Sequence, residues 1–354
     1  MSDRTTAHPL VIGFPGVLAQ SLITHRLRHS TDAVTALVPS DAEAEWTAFI
    51  DELTAAQRAR VRALTGRLEA EDLGLTGPQI SNVLAECTHV VHADLTTEGN
   101  RDTLWRLHVK PLRGLMRIAR DMKQLERLTI ISTAFVSGDR TGVIYEEDLD
   151  RGQGFRSPFE WSMCQAERMA REMMPWIPIT VLRPSAILNT EVQGAARDLD
   201  LGPRYLLDLM VRLPQEIPVV LPGGARLPLN LVPLAYVVQS IWALTMAPEA
   251  RGRTFHITDP NPMSAQQVFE ILSDVTHRPR PVTTPGLPGV MQKFMSLPGL
   301  PAAARNPRAL LSSLGREVVY NCAGALDLLT LEGIPCPPFE SYVDDLCAWA
   351  ADAR

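Results

Sequence analysis

The strongest constraint on the fold is a regular alternation of short apolar segments with longer segments of helical pattern. It covers the first two-thirds of the 354-residue chain. The apolar segments carry few polar positions, as expected for strands that helices cover on both faces. The pattern predicts an α/β fold with a doubly wound parallel sheet. The predicted strands are 9–13, 33–38, 61–66, 88–93, 125–132, 178–183 and 254–257, and the predicted helices are 41–58, 101–122, 157–174 and one near 235–247.

The first predicted strand leads directly into a glycine-containing turn that opens a helix. The turn reads Gly13-Phe14-Pro15-Gly16-Val17-Leu18-Ala19. Glycines let a backbone bend tightly and approach a pyrophosphate, which the amide groups at the helix N-terminus then hold. The segment therefore indicates a dinucleotide-binding turn, and a strand-to-helix turn without a ligand is the alternative.

Charge and cysteine pattern narrow the class of protein. The formal net charge of −6 argues against a nucleic-acid-binding surface. Five cysteines without a CxxC pair or zinc spacing predict reduced thiols, no metal site and a cytoplasmic protein. The N-terminus lacks a signal-peptide pattern, and the most apolar segment, 227–246, is interrupted by polar residues and proline, so no membrane association is expected.

The last third of the chain differs in character. Residues 278–308 are crowded with proline and glycine, which favours irregular structure. We expect a loop-rich segment over the carboxyl edge of the sheet, with a surface extension that binds nothing as the alternative. The predicted division is 1–188 plus 228–258 for the sheet domain, and 189–227 plus 259–354 for a smaller, mostly helical lobe.

Several segments in collinear order resemble the extended short-chain dehydrogenase/reductases, and within them the thioester reductase and fatty acyl-CoA reductase (male-sterility type) branch. The resemblance runs from about residue 9 to 260 and implies a Rossmann fold. The segments are GRL at 66–68, LGL at 73–75, VVHA at 90–93, STAFVSG at 132–138, Ser162 with AE at 166–167, IPITVLRPS at 177–185, LVPLAYVV at 231–238 and TFHITD at 254–259.

In such enzymes a tyrosine transfers the proton, and a lysine four residues later lowers its pKa and holds the nicotinamide ribose. The resemblance places Phe159 at the tyrosine and Met163 at the lysine position. Thr133 keeps the position that polarises the carbonyl, and His108 stands at the asparagine position. Phenylalanine donates no proton and methionine carries no charge, and the predicted helix 157–174 contains neither tyrosine nor lysine. The usual proton relay is therefore absent.

The resemblance also implies a set of cofactor-binding positions, two of which are altered. Arg67 stands where the family carries an aspartate for the adenine amine, and Pro39 stands where an arginine often binds the NADPH 2′-phosphate. These changes predict that NADP or NAD binding is weakened or lost. The full set of implied positions is Gly13, Phe14, Gly16, Val17, Leu18, Pro39, Arg67, Leu68, His92, Ala93 and Pro184.

Three functional hypotheses follow from these replacements. The first is a non-catalytic family member that binds a nucleotide or an acyl-type metabolite, or serves as a scaffold for a protein partner. The second is an active NAD(P)-dependent oxidoreductase or acyl-thioester reductase in which Thr133 and His108 supply the proton. The third is a nucleotide-sensing regulator. A homodimer is also expected through helices at about 101–122 and 157–174, whose apolar contacts would come from Trp105, Leu107, Met116 and Met169.

Overall fold

Seven parallel strands form the central sheet, and across it they lie in the order Val61–Thr65, Val34–Val38, Pro9–Ile12, His89–His92, Arg127–Ile131, Ile179–Pro184 and Thr254–Ile257. The structure, a computed structural model, describes residues 7–188, 220–222, 226–284 and 317–352. The sheet strands are β1 Pro9–Ile12, β2 Val34–Val38, β3 Val61–Thr65, β4 His89–His92, β5 Arg127–Ile131, β7 Ile179–Pro184 and β11 Thr254–Ile257. The doubly wound parallel sheet is thereby confirmed, with strand ends within two residues of the predicted ones. The order reverses between β1 and β4, where folds of this kind bind ligands.

Helices cover both faces of the sheet, so the strands are apolar on both sides. Val11 packs on the face covered by α1 and α8. Leu10 and Ile12 point to the opposite face, which α4 and α6 cover. The helices are α1 Val17–His29, α2 Glu43–Asp51, α3 Ala55–Arg58, α4 Gly77–Glu86, α5 Arg101–Leu104, α6 Lys110–Asp121, α7 Pro158–Met173, α8 Leu234–Met246, α9 Ala265–Val275, α10 Ala323–Leu331 and α11 Val343–Asp352.

The predicted helix 41–58 is wrong as one continuous element. The structure has a 3₁₀ turn at Ser40–Ala42, then α2, and a separate α3. Thr54 begins α3 with a capping box: its hydroxyl accepts the Gln57 amide, and the Gln57 side chain accepts the Thr54 amide. Such a cap satisfies amides that a continuous helix would have bonded itself, so it starts a new helix.

The predicted helix 101–122 is continuous but contains a π-helical turn, Trp105–Val109, between α5 and α6. Pro111 in the first turn of α6 has no amide hydrogen, and the Lys110 amide bonds the Trp105 carbonyl five residues back. The turn places the side chain of His108 inside the protein.

The C-terminal part joins the sheet domain at several points. Ala325 and Leu329 of α10 lie in the same apolar cluster as α1 and α8. A second cluster unites α9 and α11 with β8 and β10. Short parallel pairs complete this part of the protein: β6 Gly142–Ile144 with β13 Val318–Tyr320, β8 Ala186–Leu188 with β10 Leu231–Pro233, and β9 Val220–Pro222 with β12 Val282–Thr284. Most of the proline-rich segment 278–308 lies outside the described residues.

A buried ion-pair network fixes α7 against the sheet. The Glu167 carboxylate on α7 receives both Nε and Nη2 of Arg183 on β7, with Nη2 at 2.7 Å, and both side chains are fully buried. Ser132 donates its hydroxyl to Glu167 at 2.9 Å, and Arg171 adds a second guanidinium. Burial alone raises the pKa of Glu167, but the arginines outweigh it and hold this pKa below its usual value.

His256 extends this network to the C-terminal part. Its Nε2 accepts from Arg183, so Nδ1 carries the proton that it donates to the Asn321 carbonyl at 2.7 Å. The Glu146 carboxylate accepts the backbone amides of His256, Gly324 and Ala325. It therefore caps the N-terminus of α10 and ties that helix to β11.

Candidate functional site

The turn after β1 has a backbone that only glycine adopts readily. Gly13 has φ of +122°, and a Cβ atom there would lie 2.7 Å from the Ala93 carbonyl oxygen. A Cβ on Gly16 would lie 2.8 Å from the Gly13 oxygen, which also accepts the Gly16 amide at 2.8 Å. The turn is therefore closed by its own backbone and held tightly against the end of β4.

A cavity of about 140 Å³ lies at this turn, at the switch point between β1 and β4. The first amides of α1 have no side-chain cap, and the N-terminus of a helix attracts anions. Size and charge suit a phosphate group. The lining residues are Gly13, Phe14, Pro15, Gly16, Val17 and Leu18 after β1, and Ala93, Asp94, Leu95 and Thr96 after β4.

Three lining residues were missed by the sequence reasoning. Asp94 Oδ1 accepts both the amide and the hydroxyl of Thr96, at 3.1 and 2.8 Å, and this pair with Leu95 forms the wall opposite the turn. Their position in the sequence could have indicated this role, because they directly follow β4, the strand that pairs with β1. Parallel strands bring their carboxyl ends to one edge.

Phe14 anchors the turn. Its ring is buried and packs edge-on against Trp46 at 5.1 Å and Phe49 at 5.7 Å, both on α2. Aromatic pairs of this geometry stabilise beyond their buried area. The turn is thus braced by a second element, α2.

Arg67, which the resemblance places at the adenine-binding position, forms an ion pair. Arg67 follows β3, and its guanidinium lies 2.6 Å from Asp41, which comes shortly after β2. The hydrogen bond from Arg67 holds the pKa of the Asp41 carboxyl below its usual value. Leu68 is buried with the helices of the α4 face, and Pro39 is half-buried at the end of β2.

Of the four positions that the resemblance assigned to catalysis, the structure brings the rings of His108 and Phe159 into contact. Phe159 and Met163 on α7 are 5% and 3% exposed and belong to the apolar cluster that includes Leu95. The His108 ring lies edge-on to Phe159 at 5.8 Å. Thr133 is buried directly after β5, and its hydroxyl accepts the Phe135 amide at 3.2 Å.

His108 has a polar partner, Ser162, which the sequence analysis used only as part of the family resemblance. Its Nδ1 lies 2.9 Å from the Ser162 hydroxyl, which also lies 2.9 Å from the Phe159 carbonyl. A serine hydroxyl has only one proton. When Ser162 donates that proton to the Phe159 carbonyl, its oxygen accepts a hydrogen bond from Nδ1 of His108. Burial lowers the pKa of His108, so the ring is neutral near pH 7.

His92 lies at the end of β4, opposite Ile12 in the strand register. Among the described residues neither of its ring nitrogens has a hydrogen-bond partner, although the side chain is buried. The pKa of His92 is lowered to about 4, mainly by burial; the charge of Asp94 opposes this shift and His108 adds to it. Ala93 next to it contacts Gly13 through its backbone, and Pro184 is buried at the end of β7, opposite Ile257.

No grouping of histidine, cysteine and acidic side chains within the described ranges would hold a metal ion. All five cysteines are free, and burial raises the pKa of Cys164 to about 12. Across the same residues no helix is both long and apolar enough to cross a membrane.

A family model described as male sterility protein matches residues 11–241, which is well over half of the chain. The chain belongs to the male sterility protein family. The resemblance drawn from the sequence is thereby confirmed: this family member is an NAD-binding-type Rossmann protein of the extended short-chain dehydrogenase/reductase kind, similar to thioester reductases. No curated protein matches the chain in sequence.

Solved structures share the fold of this male sterility family member at low identity. The terminal R domain of the myxalamid PKS-NRPS pathway is 20% identical with a TM-score of 0.80, covering 98% of this chain and 90% of that one. The reductase domain of a Mycobacterium tuberculosis nonribosomal peptide synthetase is 17% identical with a TM-score of 0.72, covering 99% and 91%. A UDP-glucuronic acid 4-epimerase from Bacillus cereus, in complex with NAD, is 16% identical with a TM-score of 0.65, covering 98% and 96%.

Proposed function

We propose that this male sterility family member binds a nucleotide through the Gly13 turn but does not reduce a substrate through a tyrosine–lysine relay. The observation that carries the proposal is the burial of Phe159 and Met163 in an apolar cluster at the carboxyl end of the sheet. A proton relay needs a titratable group at this place, and α7 contains neither tyrosine nor lysine.

Retained nucleotide binding is supported by the turn itself. Its two glycines keep the conformation that brings backbone amides to a phosphate, and the cavity lies at the uncapped N-terminus of α1. Weakened binding of a whole dinucleotide is supported by the position that would bind adenine. There the ligand would contact the ion pair of Arg67 and Asp41 instead of an aspartate that accepts from the adenine amine. When bound, NADH or NADPH would supply a hydride, and NAD or NADP would accept one.

The apolar surroundings of Phe159 and Met163 favour an acyl-type group over a sugar as the second ligand. A protein that binds nucleotide without consuming it acts as a sensor when its affinity for another protein differs between the two states. The proposed role is therefore binding or regulation.

Calorimetry with NADPH, NADH and ADP, on protein stripped of carried-over ligand, tests the binding step. We expect saturable binding without oxidation of NADPH in the presence of aldehydes or acyl-CoA thioesters. The double variant Phe159→Tyr/Met163→Lys restores the two relay positions, and gain of turnover there would support descent from a reductase. Turnover of the wild-type protein at the rate of ordinary reductases, or no nucleotide binding at millimolar concentration, would overturn the proposal.

The contact between His108 and Ser162 supports a second candidate, an oxidoreductase with an altered proton relay. Hydride transfer requires mainly that cofactor and substrate be positioned, so a relay through Thr133 and His108 would supply the remaining proton. This candidate predicts measurable turnover in wild type that His108→Ala abolishes while calorimetric nucleotide binding is kept. Equal turnover in wild type and His108→Ala would exclude it.

A further inference from the structure

A second cavity, of about 930 Å³, forms a groove on the outer face of α6 and α7. It shares no lining residue with the cavity at the Gly13 turn. We call it the α6–α7 groove. Its lining comes from the segment after β3, from α6 and from the end of α7, and besides the cations of α6 it includes the carboxylates of Glu69, Asp72 and Glu172.

Four cations of α6 form a stripe along this groove. Lys110, Arg113, Arg117 and Arg120 follow each other at spacings of three, four and three residues, and all are exposed. At 3.6 residues per turn they fall within an arc of about 80°, along about 15 Å of the helix. The whole chain carries a net charge of −6, so this face is opposite in sign to the protein as a whole.

Two of the four cations are left for a ligand. Arg117 is bonded to Asp72 at 2.7 Å, and Arg120 lies 3.6 Å from its neighbour Asp121. Among the described residues no carboxylate lies within ion-pair distance of Lys110 or Arg113. An exposed guanidinium and ammonium without partners attract an anionic surface and accelerate its association.

Methionines line the groove beside the stripe. Met169 and Met173 lie one turn apart on α7 and are half-buried, and Met116 forms part of the buried floor. Methionine side chains are flexible and polarisable, and they adapt to apolar residues of a bound helix. A groove with apolar residues at its base and charges along one wall is the arrangement that accepts an amphipathic helix.

We propose that the α6–α7 groove binds an acidic amphipathic helix of a partner protein. Carboxylates of that helix pair with Lys110 and Arg113, and its apolar side chains contact Met169 and Met173. A nucleic acid fits less well, because the methionines of the groove offer no flat surface on which bases stack. A second copy of this chain is the alternative occupant, because the sequence predicts a homodimer through these same helices, and the oligomeric state tests it.

The probe is a fluorescent synthetic peptide with leucines on one helical face and glutamates beside them, titrated with the full chain and followed by anisotropy. We expect binding that weakens between about 0.1 M and 1 M salt, because the Debye length falls from about 10 Å to about 3 Å. The variant Arg113→Glu/Arg120→Glu should bind at least about tenfold more weakly. Arg28→Glu/Arg251→Glu removes the same charge from exposed sites outside the groove and should bind like wild type.

A second variant, Met169→Gln/Met173→Gln, separates the apolar contact from the charge: it should weaken binding by a factor that salt does not change. Unaltered thermal unfolding of each variant establishes that the fold is intact. Three outcomes overturn the proposal. They are absence of peptide binding at millimolar protein, preferential binding of a single-stranded RNA of equal charge, and a concentration-dependent dimer in sedimentation that Arg113→Glu/Arg120→Glu dissociates.

Discussion

Glu167→Gln tests whether the buried ion pair stabilises α7 on the sheet. The substitution keeps the shape of the side chain and removes its charge, while Arg183, with no exposed surface, keeps its own. Three hydrogen bonds from Arg183, at 2.7 to 3.1 Å, lose their charged acceptor. Removing one partner of a buried pair leaves an uncompensated charge and costs about 3–5 kcal/mol of unfolding free energy.

Glu86→Gln is the matched control. Glu86 pairs with Arg62 at the same N–O distance of 2.7 Å, but these two side chains are 43% and 53% exposed. An exposed pair contributes about 0–1 kcal/mol, because water and salt screen it. The two variants therefore differ in burial and not in contact distance.

The assay is urea unfolding followed by tryptophan fluorescence at neutral pH. We expect the midpoint of Glu167→Gln to fall far below wild type and that of Glu86→Gln to stay close to it. The pKa of Glu167 is depressed in the folded protein, so the carboxylate stabilises the fold above its usual pKa and loses this effect as acid protonates it. The urea midpoints of wild type and Glu167→Gln should therefore converge at low pH. Equal losses in both variants at neutral pH would refute the reasoning.

Three further predictions concern histidines, the turn and a helix cap. Burial lowers the pKa of His89 and His92 to about 4 and that of His256 to about 3, so the unfolded chain binds protons that the folded protein does not. Urea titrations should show full stability above about pH 6.5, falling toward pH 4 by up to about 1.4 kcal/mol per pH unit for each histidine; a flat profile would contradict this. Gly13→Ala places a Cβ atom 2.7 Å from the Ala93 carbonyl oxygen at a φ of +122°. We therefore expect calorimetric nucleotide binding to vanish and the unfolding free energy to drop by about 1–3 kcal/mol. An unchanged dissociation constant would exclude the turn as the nucleotide site. Ser157→Ala removes the hydroxyl that caps α7 and should lower the unfolding free energy by about 1 kcal/mol, whereas Ser157→Asp should keep it.

Positions at the ends of elements could be read from the sequence where a local signal exists. The predicted helix 157–174 starts where the structure starts α7, and Ser157 with Pro158 is a local signal for that start, because a hydroxyl cap and a first-turn proline act on the adjacent amides. The break between α2 and α3 was missed although Thr54 and Gln57 form a capping box, since the apolar pattern there continues across the break.

The site was only partly predictable, because several of its contacts join distant parts of the chain. His108 and Ser162 are 54 residues apart and meet because a π-helical turn places the histidine against α7. Nothing in the local pattern of 101–122 indicates that turn except Pro111. The pairing of Arg67 with Asp41 likewise depends on the neighbouring ends of β2 and β3.

The sequence by itself determined the alternation of strands and helices, the glycine turn after β1 and the absence of tyrosine and lysine from α7. These features rest on residue type and short spacing, which act over a few residues of backbone. Only the tertiary structure decided which side chains line the switch point, that Glu167 and Arg183 are buried together, and that four cations and three methionines share one groove. Such arrangements depend on how whole elements pack, and the free energy of that packing is distributed over contacts far apart in the chain.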